Sequence, residues 1–162
     1  MNHSIALISI ASLLASSSAL AIDLESARSF SAGLNGASER IQAIVDRIAS
    51  NPRESDELAM PILIEASTGL IESAALASEV VLLLEKVATL PNPVPAQQQA
   101  NLAFTKTCLK TATTRSKLSR ARIAASKPPT SAFDTNELAA FGSDINDVVV
   151  EVSDLRTAAE CP

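Results

Sequence analysis

The sequence predicts an all-α protein, a four-helix bundle with long helices that follows a cleaved signal peptide. Three observations support this fold class. Apolar residues recur at steps of three and four along most of the chain, which is the spacing of a helix with a buried face. No segment alternates polar and apolar residues for long enough to form a sheet. Breaks that contain proline divide the chain into four helical lengths.

The first 21 residues have the pattern of a secretory signal peptide. An apolar run covers Ile5–Leu14, and Ala19-Leu20-Ala21 forms an A-x-A cleavage pattern. We therefore predict a signal peptide at 1–21, a single helical-bundle domain at 22–162, and a location that is secreted and extracellular or in the cell wall. The alternative is an N-terminal helix that stays attached.

The first mature segment, Asp23–Ser50, is predicted to be an amphipathic helix. The second helix, Pro61–Leu90, is the one around which the others are expected to pack, because it is apolar over most of its circumference. Pro61 either starts this helix or kinks one that begins at Ser55. The carboxylates of this helix stand seven residues apart and form one stripe, at Glu65, Glu72 and Glu79. A carboxylate at every second turn argues against a transmembrane segment in the mature chain.

The third helix is predicted from about Ala96 to Ala125, after the proline-rich break that begins at Pro91. Its amphipathicity is poor, and the apolar face that it offers consists mostly of small residues: Leu102, Thr105, Leu109, Ala112, Ser116 and Ile123. The last helix opens at Glu137 or Leu138, with Asp134 or Thr135 as its N-cap. It has the cleanest helical period in the chain.

Charge is sorted by segment. Residues 96–127 carry seven Lys or Arg and no Asp or Glu, whereas residues 51–95 and 128–162 carry seven acidic residues each. Pairing with these neighbours in an antiparallel bundle is the favoured explanation. The alternative is an anion site for a lipid head group or a fatty carboxylate, with Arg115, Arg120 and Arg122 as candidates. Nucleic acid is not an expected partner, because the net charge is −5 and no aromatic residues stand among the basic ones.

Cys108 and Cys161 are the only cysteines, and an even count in an exported chain favours one disulfide. If the third and fourth helices meet near residue 130, Cys108 and Cys161 lie at different distances from that junction along their helices. The chain after Ala158 must then unwind and fold back. Free or intermolecular thiols are the alternative.

The composition excludes several kinds of catalytic site. The only histidine, His3, lies in the predicted signal peptide. A mature chain without histidine cannot use a Ser–His or Cys–His nucleophile or a His-ligated metal. With four glycines in all, the chain also has no Gly-rich phosphate loop. Ser–Lys and paired-carboxylate catalysis stay open, but the carboxylates are spaced as solvent-exposed stripes, so we predict a protein that is not an enzyme and that uses no cofactor and no metal.

The stretch ELAMPILIEASTGLIESAALASEVVLLLEKVATLP, residues 57–91, resembles the fungal hydrophobic surface-binding protein family, which includes cell-wall galactomannoproteins. The last helix, LAAFGSDINDVVVEVSDL, is a looser match. The resemblance implies an all-helical secreted protein that adsorbs to hydrophobic surfaces or holds a fatty acyl ligand between its helices. It assigns no role to individual residues and does not require the cysteine pair.

The second helix also has a waist of small residues between Ala66 and Ser78, which indicates either close approach of a neighbouring helix or a cavity for an acyl chain. We expect the protein to bind hydrophobic surfaces or a long-chain lipid. The candidate apolar lining is Phe30, Leu34, Leu70, Ala74, Ala77, Val81, Phe104, Phe141 and Ile145. The alternative function is that of a secreted effector- or inhibitor-like protein that docks a partner protein through charged helix faces.

Overall fold

In the computed structural model, the backbone is described for residues 22–50, 56–125 and 135–162, and side chains for 22–50, 59–125 and 142–162. These residues form four helices and no strand. The helices are α1 (Leu24–Ser50), α2 (Asp56–Val87), α3 (Val94–Ala125) and α4 (Thr135–Ala158). The all-α four-helix bundle is therefore confirmed. The predicted signal peptide at 1–21 lies outside the described residues.

Ion pairs between helices show that neighbouring helices run in opposite directions. Glu72 pairs with Lys110 and Glu65 with Lys117, so seven residues forward on α2 correspond to seven residues back on α3. The pairs Arg40–Glu151 and Arg47–Asp144 show the same relation between α1 and α4. Each helix packs against the next in sequence, α4 returns to α1, and α2 and α3 share the most extensive contact. The chain is an antiparallel, up-down-up-down bundle.

The ends of the first two helices follow from local chemistry. Asp23 caps α1, because its carboxylate accepts the Ser26 N–H at 2.9 Å and the Ser26 hydroxyl at 2.8 Å. These hydrogen bonds hold the pKa of Asp23 below its usual value. The second helix begins at Asp56, so Pro61 lies inside it rather than at its start. Proline has no N–H to donate, so one backbone hydrogen bond of α2 is lost at that point.

The core takes apolar side chains from all four helices. Phe30 and Phe104 meet edge to face, with ring centroids 6.1 Å apart. The other large apolar side chains that are fully buried are Leu34, Ile41, Leu63, Leu70, Val80, Leu118, Ile145, Val148 and Val152. These residues supply the apolar burial that stabilises the bundle.

The waist of small residues on α2 brings α3 close. A Cβ added at Gly69 would lie 2.5 Å from Oγ1 of Thr114, so the two backbones approach where a side chain is missing. Neighbouring buried hydroxyls bond to carbonyls of their own helices, as Thr107 does to Ala103 at 2.9 Å and Ser73 to Gly69 at 2.7 Å. At Gly69, close approach is therefore the correct reading of the sequence rather than a cavity.

The face of α3 that the sequence predicted to be apolar is exposed to solvent. Leu102, Leu109 and Ile123 are 58%, 62% and 57% exposed. The opposite face is buried instead, and it consists mostly of small residues and threonines: Ala100, Ala103, Phe104, Thr107, Cys108, Thr111, Thr114, Leu118, Ala121 and Ala125. The close approach of α2 explains the difference, because the narrow interface accepts Ala and Thr more readily than Leu or Ile.

Candidate functional site

The outer side of α2 carries a line of exposed apolar side chains. Ile64, Ile71 and Leu82 are 50%, 53% and 58% exposed. Steps of seven and eleven residues are close to two and three helical turns, so the three side chains lie above one another. Thr68 and Ala75 are exposed and fill the gaps. We call these five residues the α2 stripe.

The flanks of α2 explain why this line remains uncovered. On one side, Ser67 donates a hydrogen bond to Gln42 of α1 at 3.0 Å. On the other side, Glu72 pairs with Lys110 of α3. The α2 stripe lies between these contacts, so neither neighbouring helix reaches over it.

A second line runs along the outer side of α3. It is formed by Leu102, Leu109, Ser116 and Ile123, which stand seven residues apart, and we call it the α3 stripe. Two exposed cations accompany it, because Lys106 lies between the two leucines and Arg120 lies one turn before Ile123. No ion pair to Lys106 occurs within the part of the chain that the structure describes.

A row of ion pairs separates the two stripes. The Glu65 carboxylate accepts from Lys117 Nζ at 3.0 Å, and this contact, with a smaller contribution from Arg120, lowers the pKa of Glu65. Glu72 and Lys110 form the next pair. Ile71 precedes Glu72 and Leu109 precedes Lys110, so the middles of the two stripes lie at the same level. Packed helices are about 8–10 Å apart. The two stripes and the row of ion pairs between them lie on the outer sides of two adjacent helices, and we call them together the α2–α3 surface.

Most of the predicted lining residues belong to the packed core. Val81 is partly buried, and the side chain of Phe141 lies outside the described residues. The others are at most 3% exposed: Phe30, Leu34, Leu70, Ala74, Ala77, Phe104 and Ile145. Phe30 also borders a groove of about 480 Å³ where α1 begins and α4 ends. The structure brings these residues together as packing partners, and whether a ligand enters among them stays a prediction.

The three predicted anion-binding arginines do not form one cluster. Arg115 and Arg122 turn toward α4, where they donate hydrogen bonds to Ser153 at 3.3 Å and to Asn146 at 2.8 Å. Arg120 lies on the other side of α3, in the field of Glu65. A single anion held by all three side chains would require this arrangement to change.

The structure pairs Cys108 with Cys161, with their Cα atoms 5.4 Å apart. The predicted fold-back after Ala158 is also present. The Cys161 N–H donates to the Arg156 carbonyl at 2.9 Å and the Glu160 N–H to the Thr157 carbonyl at 3.0 Å, which is the hydrogen-bond pattern of a Schellman motif. Glu160 takes the left-handed position of this motif, with φ of 54°.

Arg156 is a structural residue that the sequence reasoning missed. Its guanidinium donates hydrogen bonds to the Cys108 carbonyl, to Thr111 Oγ1 at 2.9 Å and to the Pro162 carbonyl at 2.8 Å. Partial burial lowers the pKa of Arg156, and the nearby charge of Arg115 adds to this effect. One signal could have identified it, since Arg156 is the only basic residue between positions 128 and 162.

Neither a metal site nor a membrane-spanning helix is indicated by the described residues. Within the described ranges, no group of three or more His, Cys, Asp or Glu residues could hold a metal ion. Length and composition would allow the segment Ala59–Val87 to cross a membrane, but core helices of soluble proteins pass the same test. In this structure the segment packs between α1 and α3.

The fold and the surface together define a class: an antiparallel four-helix bundle, linked by one disulfide, with an apolar outer surface on two neighbouring helices. No family model, curated protein or solved structure gives a significant match to this chain. The resemblance to the fungal hydrophobic surface-binding family therefore stays a prediction.

Proposed function

We propose that this protein is a secreted, non-enzymatic protein that binds hydrophobic surfaces or a long-chain lipid through its α2–α3 surface. The observation that carries the proposal is the pair of apolar stripes, which leave six Ile and Leu side chains about half exposed. Each stripe places its apolar side chains along one exposed helix face, and exposed apolar patches rimmed by polar residues mark binding sites. Export is supported by the signal-peptide pattern of residues 1–21.

The exposed fractions of the six side chains set an upper limit on the binding free energy. Complete burial of a Leu or Ile side chain is worth about 1.5–3 kcal/mol, so covering the exposed half contributes about 1 kcal/mol. Six side chains give a gross gain of about 6 kcal/mol before the cost of association. An extended apolar surface can contact all the apolar side chains of a stripe at once, whereas one acyl chain reaches fewer of them. We therefore expect reversible adsorption to extended surfaces to be stronger than binding of a single lipid.

The first test is adsorption to hydrophobic beads. Ile71→Gln is compared with Val150→Gln, because the two side chains are 53% and 48% exposed and, among the described residues, α4 makes no contact with α2. Glutamine has at least the helix propensity of Ile or Val, so both variants should fold. Ile71→Gln should lower the partition coefficient about fivefold, and Val150→Gln should leave it unchanged.

The triple variant Ile64→Gln, Ile71→Gln, Leu82→Gln extends the test to the whole α2 stripe. It should lower adsorption by about 100-fold if the three contributions add. Circular dichroism and a thermal melt check that the helices are retained. Wild-type adsorption by the triple variant, or an equal loss in Val150→Gln, would contradict the proposal.

Docking of a partner protein through charged faces stays the alternative prediction. Many of the charges at the helix seams already pair within the chain, as in Arg28–Glu85 and Arg40–Glu151. A pull-down with Arg115, Arg120 and Arg122 reversed to acidic residues tests this alternative. Loss of a captured partner would support it, and retention would count against it.

A further inference from the structure

The α3 stripe combines apolar residues with positive charge in a way that the α2 stripe does not. Leu102 and Leu109 flank Lys106, and Arg120 lies next to Ile123. Between residues 96 and 127 the chain has seven basic residues and no acidic one. Lys110 and Lys117 are paired with glutamates at the edge of α2, which leaves Lys106 and Arg120 as the exposed cations beside the apolar line.

We infer that the α3 stripe docks on the interface of an anionic lipid bilayer. This inference rests on the proposed function, because it assigns a partner class to the same α2–α3 surface. Helices that lie in a membrane interface have an apolar line flanked by basic residues. The apolar side chains would enter the boundary between head groups and acyl chains. Lys106 and Arg120 have long, flexible stems that let their charges reach head-group phosphates or carboxylates.

The distribution of charge fits this orientation. The α2–α3 surface carries five cations, Lys86, Lys106, Lys110, Lys117 and Arg120, against the acidic residues Glu65, Glu72 and Glu79. Of the other charged residues whose side chains the structure describes, ten are acidic and six are basic, so the remaining described faces have a net negative charge. Asp147 and Asp154, for example, are exposed on α4. An anionic membrane would repel those faces and attract this one, which favours a single docking orientation.

The proposal is tested by sedimentation with two kinds of vesicle, phosphatidylcholine alone and phosphatidylcholine with about one third phosphatidylserine. The variant Lys106→Gln, Arg120→Gln removes both cations but leaves the apolar line intact. The control variant Arg40→Gln, Arg47→Gln removes the same charge from α1, where both arginines pair with α4. A basic side chain close to an anionic surface is worth about a fivefold change in partition.

The wild type should therefore bind the anionic vesicles more tightly, and Lys106→Gln, Arg120→Gln should reduce that binding about 25-fold. Binding to neutral vesicles should be unchanged in this variant, and the control variant should behave like the wild type. Raising the salt concentration should weaken wild-type binding to anionic vesicles only. Circular dichroism confirms that all three proteins are folded.

Equal wild-type binding to the two kinds of vesicle would overturn the inference, as would an equal loss in the control variant. Hydrophobic beads separate this failure from failure of the proposed function. Adsorption to beads without a preference for anionic vesicles would leave the proposed function standing and refute the anionic partner. Absence of binding to both beads and vesicles would refute both.

Discussion

Two glycines in helices provide a sharp test of the packing between α2 and α3. Replacing a helical glycine with alanine normally stabilises a protein by about 1 kcal/mol. At Gly36 a new Cβ would meet only the end of Arg40, at 3.8 Å. At Gly69 it would lie 2.5 Å from Oγ1 of Thr114, which is 1% exposed. The same substitution should therefore have opposite effects at the two positions.

Gly36→Ala should gain the full helix-propensity term of about 1 kcal/mol. Gly69→Ala gains the same term but overpacks a buried contact, which costs about 1–3 kcal/mol. We expect a net loss of about 1 kcal/mol at Gly69, so the two variants should differ by about 2 kcal/mol. Both free energies of unfolding are measured by urea denaturation, with the m-value as the check that the denatured state is unchanged.

A double-mutant cycle isolates the contact. Thr114→Ala removes the two nearest atoms, Oγ1 and Cγ2, and leaves only Cβ at 3.4 Å from the new methyl group. Gly69→Ala should therefore become stabilising in the Thr114→Ala background, with a coupling of about 1–3 kcal/mol. Stabilisation by Gly69→Ala in the wild-type background, or additive effects in the cycle, would refute the close approach of α2 and α3.

Two further predictions concern the disulfide and the response to acid. Replacing Cys108 and Cys161 with serine opens a loop of 53 residues and should lower the free energy of unfolding by about 4 kcal/mol, measured with urea; no loss would show that the bridge does not constrain the chain. The folded-state pKa values of Asp23 and Glu65 are lowered, so their stabilisation is complete well above pH 4 and is lost as the pH falls through the lowered values. Asp23→Asn, Glu65→Gln should flatten the fall in stability between pH 5 and 2, and an unchanged profile would contradict these assignments.

The sequence alone determined the fold class and much of the electrostatic arrangement. The steps of three and four predicted helices, since only helical spacing brings those apolar residues to one side, and the breaks that contain proline predicted that there are four of them. The sorting of charge by segment predicted that the basic third helix pairs with its acidic neighbours, and the structure shows such pairs between α2 and α3 at Glu72–Lys110 and Glu65–Lys117. The Cys108–Cys161 bridge was predictable because only two cysteines are present. The reversal after Ala158 was predictable because the two cysteines lie at different distances along their helices from the junction of α3 and α4.

The candidate surface could be predicted only in part. The excess of apolar residues on α2 was visible in the sequence, but which of them remain exposed depends on where α1 and α3 pack. The α3 stripe was read as the apolar face of its helix, and only the structure shows that Leu102 and Leu109 point to solvent. Likewise, Arg120 and Arg122 are two residues apart in sequence but lie on opposite sides of α3.

The tertiary structure decided these points because α3 is only weakly amphipathic. Its own residues do not specify which side is buried, so the choice is made by the neighbour that fits most closely. At Gly69 the α2 backbone comes near Thr114, and a helix that approaches so closely can cover alanines and threonines but not a row of leucines. Leu102, Leu109 and Ile123 of α3 are therefore left on the outside, and they create part of the apolar surface on which the proposed function depends.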